Sequence, residues 1–71
     1  MDALQQSHTF FVNEARQWSA RAEELRTVAE EMTDATNKET AMRLVRDYER
    51  LARRAEAMAA RHAKTRLFSG A

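Results

Sequence analysis

The sequence predicts an all-α protein: an antiparallel two-helix hairpin, residues about 9–33 and 36–66, that dimerises into a four-helix bundle. Three observations carry this expectation. Phe11, Ala15, Trp18, Ala22, Leu25, Ala29 and Met32 recur at steps of four and three. Ala41, Leu44, Tyr48, Leu51, Ala55, Met58 and His62 repeat the pattern beyond a short hinge at Asp34-Ala35-Thr36-Asn37. Such stripes are the seams of helices packed along one another. Finally, the chain has no Pro and a single Gly, Gly70, so only the hinge interrupts it, and no β-branched run points to strands.

The first eight residues read weakly. Leu4 and His8 extend the rhythm backwards, and Ser7 or Thr9 can cap a helix because a hydroxyl accepts from unpaired amides one turn on. The spacing therefore starts helix 1 between Ser7 and Thr9 and carries it to about Thr33, roughly 25 residues or ~38 Å. At the hinge, Asp34 can cap a helix opening at Ala35, while Thr36 and Glu39 have capping-box spacing. Helix 2 starts between residues 35 and 37 on either reading and runs to about Arg66. Residues 1–8 and 67–71, with Ser69-Gly70-Ala71 as a tail, are expected to fray around a single domain spanning 1–71.

A hairpin closed at the hinge should set residues face to face whose numbers sum to 73: Met32/Ala41, Ala29/Leu44, Leu25/Tyr48, Ala22/Leu51, Trp18/Ala55, Ala15/Met58 and Phe11/His62. Five of these layers place an Ala against a large side chain, which fills the space between helices. Helix 2 has a broadened apolar face, because Val45, Ala52 and Ala59 follow Leu44, Leu51 and Met58. A core of this size usually needs a disulfide, a metal or a partner, and the chain has no Cys. The expected staple is a second copy, with Val45, Ala52, Ala59, Trp18 and Tyr48 in the dimer interface.

Charge is balanced overall, with 12 basic and 11 acidic residues, but not along the chain. Residues 1–35 carry three basic and seven acidic side chains, and residues 36–71 carry nine and four. Opposite halves attract and favour hairpin closure at modest, salt-dependent strength. In the same hairpin Arg21 and Arg54 flank the seam on one side, where a partner-chain carboxylate is the favoured answer to their charge, and Glu14 faces Arg61.

Two groups of side chains are candidates for chemistry. His8 and His62 fall near the open end and could share a metal, yet most transition-metal sites need three or more protein ligands; no metal or cofactor is expected. Arg43, Arg46, Arg50 and Arg53 step along the outer face of helix 2, with Lys64 beyond, as a basic ridge of the kind that meets phosphates. Its competing reading is a solvated face with Glu39–Arg43 and Glu49–Arg53 pairs. Carboxylates are numerous but unclustered, and no Ser or Thr has a base and an orienting group beside it, so no enzyme activity is expected. Phe10, Leu67 and Phe68 lie off the seams, where they cover the open end or offer an apolar docking spot. No stretch reads as a signal peptide or nears the ~20 apolar residues of a membrane span. The expectation is a cytoplasmic interaction or regulatory module acting as a homo-oligomer. The alternatives are a small nucleic-acid-binding regulator using the arginine ridge and a module that docks a different protein.

The run from Trp18 through Arg21-Ala-Glu-Glu-Leu-Arg26 to Asp34, completed by Tyr48-Glu-Arg-Leu-Ala52, resembles a group of short, uncharacterised proteobacterial helical-hairpin proteins over residues 10–56. Many members of that group place Pro after the hinge Asp, where this chain has Ala35. The resemblance implies a bacterial, cytoplasmic protein and no activity. The architecture is also similar to the small RNA-binding repressor of primer type, a dimer of helical hairpins, as an analogy of fold.

Overall fold

A computed structural model of the chain describes the backbone of residues 3–69 and the side chains of residues 6–63. Two helices, α1 (Ala3–Glu31) and α2 (Ala35–Ser69), account for all of it except the connection at residues 32–34. They lie alongside one another as a hairpin with principal extents of 56 × 15 × 12 Å. The side chains of Lys64, Leu67 and Phe68, and the tail at Gly70-Ala71, lie outside the described residues.

The hinge falls earlier in the chain than the sequence reading placed it. α1 ends at Glu31 rather than Thr33, and the Met32 amide donates to the Ala29 carbonyl at 3.1 Å, closing the last turn. Asp34 caps α2: the Asn37 amide donates to its Oδ1 at 3.0 Å, and the Lys38 amide to its carbonyl at 2.9 Å. That carboxylate satisfies an amide with no intrahelical partner and faces the positive end of the helix dipole. Of the two start signals, Asp34 is the one used, and Thr36 lies inside the helix with its carbonyl accepting from the Thr40 hydroxyl at 3.1 Å. The outer ends also differ from expectation, since helix extends back to Ala3 and on to Ser69.

The seam between the helices is made of small residues. Ala15, Ala22 and Ala29 of α1 are buried against Ala41, Val45, Ala52, Ala55 and Ala59 of α2, and Ala29 and Val45 are wholly inaccessible. In α1 this is the stripe read from the sequence. In α2 it is that stripe displaced by one residue at three places. Val45, Ala52 and Ala59 occupy the seam, while Leu44 and Leu51, expected there, are 44% and 38% exposed.

This corrects the assignment of Val45, Ala52 and Ala59 to an inter-subunit contact, because their surface is already spent inside one hairpin. The physical reason is size. Helices close together when methyl-sized side chains face one another, and a Leu in that position would hold them apart.

The facing pairs also depart from a uniform register of 73. Phe11 stacks on His62 as expected, with centroids 5.3 Å apart. Trp18, however, stacks on Tyr48, and the His8 ring Nδ1 donates to the Ala59 carbonyl at 3.0 Å. Tyr48 and Ala59 both meet α1 farther from the hinge than that register puts them, which would set them against Leu25 and Glu14. The large side chains are displaced along the seam, as an all-alanine layer leaves them no room in its plane.

Candidate interaction surface

Once the buried seam is fixed, the residues on either side of it form two flanks with different chemistry. On the first flank Val12, Ser19 and Arg26 of α1 run beside Glu49 and Glu56 of α2. Arg26 bridges the helices through an ion pair to Glu49 and also pairs with Glu23 at 2.9 Å. The hydrogen bond to Glu49, followed by the field of that carboxylate, raises the Arg26 pKa, so the guanidinium stays charged. Glu49 was expected to pair with Arg53 along its own helix and is instead engaged across the seam.

The second flank is apolar. Leu44, Leu51 and Met58 project from α2, and Phe11, Trp18 and Leu25 of α1 fill the spaces between them. Shallow grooves of about 560 and 360 Å³ lie along it, and one of about 430 Å³ lies on the polar flank beside Val12, Ser19 and Glu56. Neither volume nor groove lining distinguishes the flanks; what does is where Leu44 and Leu51 stand exposed. Val28, on the apolar flank, is 50% exposed, and Phe10 at the outer edge of α1 is 57% exposed. A few isolated exposed apolar residues need no explanation, whereas a contiguous strip along a whole face of so small a protein does.

The indole of Trp18 is stacked on Tyr48 and carries the Arg21 guanidinium 5.2 Å from its centroid. Trp18 and Tyr48 are both half-buried, so each retains surface toward this flank or its edge. Arg54 lines the same groove as Glu14, Trp18 and Leu51. The charge of Arg21 is thus answered within the chain in part, by an aromatic face.

The arginine ridge is present as read: Arg43, Arg46, Arg50 and Arg53 are all exposed on the outer side of α2. Arg50 makes an ion pair with Asp47 at 3.4 Å. His8 and His62 are half-buried at the open end, one bonded to a backbone carbonyl and the other stacked on Phe11. Among the described residues no group of three or more His, Cys, Asp or Glu is placed to hold a metal ion, and no helix is long and apolar enough to cross a membrane.

Sequence reasoning missed the apolar flank because it gave Leu44, Leu51 and Met58 to the seam. The usable signal was their pairing with a smaller neighbour at each of the three positions. Compared with models of protein families, with curated proteins and with solved structures, the chain matches none.

Proposed function

We propose that this chain is a non-enzymatic helical interaction module that works as a homo-oligomer, two hairpins closing into a four-helix bundle in a bacterial cytoplasm. The observation that carries the reading is the contrast between an alanine seam and an exposed strip of Leu, Met and aromatic side chains. A buried alanine contributes a single methyl, roughly 0.8 kcal/mol. Most of the apolar area that could stabilise the fold is therefore on the outside of a single hairpin. A second hairpin laid over that flank supplies the missing half of a core, the usual solution for helical pairs this short.

The test is mass in solution. Light scattering after size exclusion at tens of micromolar should give at least twice the 8.2 kDa chain. The double substitution Leu44→Lys/Leu51→Lys should return it to a single chain with loss of helicity. A wild-type chain that is monomeric and fully helical at that concentration sinks the proposal.

A second reading is supported by the exposure of Arg43, Arg46, Arg50 and Arg53: a small nucleic-acid-binding regulator using that ridge. The Arg50–Asp47 pair and the neighbouring carboxylates lower its field. Fluorescence anisotropy with short RNA and DNA duplexes at low salt, where phosphate contacts are strongest, decides it. Binding that Arg46→Gln/Arg53→Gln abolishes supports the ridge, and no binding at 20 mM salt removes it.

A further inference from the structure

We infer that the occupant of the apolar flank is a second copy of this chain lying antiparallel to the first, hinge over open end, with the two-fold axis passing beside Leu51. The inference rests on the self-association proposed above and specifies its geometry.

The first argument is the placement of the exposed apolar side chains. In α2, Leu44 and Met58 lie one heptad before and one heptad after Leu51 on the same row. A two-fold at Leu51 therefore sets Leu51 on its own copy and Leu44 on Met58 of the other. In α1, the two most exposed apolar residues are Phe10 and Val28, and their midpoint is Ser19, next to Trp18. Trp18 shares a groove with Leu51. One axis thus serves both helices and brings Phe10 of each copy to Val28 of the other. Isologous pairing of this kind is what a closed dimer requires.

Charge supplies the second argument. On the hinge side of the axis, residues 20–50, eight carboxylates stand against six cations, a net of −2. On its open side, residues 6–18 and 52–63 carry two carboxylates and four cations, a net of +2. A parallel arrangement would lay −2 on −2 and +2 on +2 within a Debye length of ~8–10 Å, whereas the antiparallel one lays each on its opposite. At the rim the same axis carries Asp47 toward Arg54 of the second copy. Asp47 now holds only an exposed pair to Arg50, and Arg54 stands in the groove. The axis also brings Glu14 toward Glu24 of the second copy, with Arg21 in the same row as Glu14 to offset them.

The chain has no Cys, so single cysteines report the geometry directly. Leu51→Cys should form an interchain disulfide under mild oxidation, and Leu44→Cys alone should not. An equimolar mixture of Leu44→Cys and Met58→Cys should give the mixed disulfide. A spin label on Thr36→Cys, at the exposed outer side of α2, leaves the interface untouched and keeps the test independent of the core substitutions. Fifteen residues from Leu51 at 1.5 Å each put the two labels about 45 Å apart when antiparallel, and within about 20 Å when parallel. A dimeric mass with labels under 25 Å apart, or a Leu44→Cys homodisulfide, overturns the orientation while leaving self-association standing. A monomeric mass overturns both.

Discussion

The indole of Trp18 lies against the phenol ring of Tyr48, with centroids 5.6 Å apart and planes inclined by 22°, and this stack is the largest aromatic contact joining α1 to α2 among the described residues. On one face the indole meets Tyr48, and Arg21 stands over it at 5.2 Å. Aromatic pairs add about 0.5–1.5 kcal/mol beyond the area they bury, so in a seam of alanines this pair has an unusual share of the stability.

Replacing Trp18 by Ala should therefore destabilise the hairpin by about 2–4 kcal/mol, toward the lower end of large-to-small aromatic substitutions because the ring is only half-buried. Tyr48→Phe keeps the stacked ring and should change stability by less than about 0.5 kcal/mol. Thermal melts followed by circular dichroism, at one protein concentration, separate the two. Equal losses would mean that the Tyr48 hydroxyl, not the stack, matters.

Ala29 has no accessible surface, and its neighbours across the seam are themselves small. Ala29→Leu should cost about 1–3 kcal/mol by forcing the helices apart. A Leu at Val28, one residue earlier and half exposed, should be nearly silent in a single hairpin. A well-tolerated Leu at position 29 would show that the helices are not held as close as the alanine seam requires.

Asp34 is the cap that sets where α2 begins. Asp34→Ala should lower stability by about 1 kcal/mol, and Asp34→Asn, which retains an acceptor, should recover most of that. Urea melts of the three chains provide the comparison, and an Asn variant no better than Ala would argue that the charge rather than the hydrogen bond stabilises the helix start.

The Arg26–Glu49 bridge spans the seam with both side chains about one-third exposed. Solvent screens such pairs, so Arg26→Ala and Glu49→Ala should each have small effects. A double-mutant cycle should find a coupling that fades as salt rises toward about 1 M, where the Debye length is ~3 Å. Coupling that persists at high salt would mean that the two side chains interact through packing.

Much of this architecture is legible in the residues alone. The 3–4 recurrence of Ala15, Trp18, Ala22, Leu25 and Ala29 finds the correct seam of α1, because every one of these positions except 28/29 has a single apolar choice. The turn is legible to within three residues, since Asp34 is the acidic cap candidate nearest the break in both stripes. α2 is different. At 44/45, 51/52 and 58/59 two adjacent apolar residues both satisfy the period, and hydrophobicity favours the larger of each pair. The outcome depends on how near α1 comes, which is a property of the pair of helices and not of either stripe. The partner helix approaches to alanine distance, so Val45, Ala52 and Ala59 turn inward, and Leu44, Leu51 and Met58 are left on the flank. The sequence by itself determined two helices, their direction and their cap. Only the tertiary structure decided which of two neighbouring rows faces in, because close packing selects by volume where periodicity selects by angle.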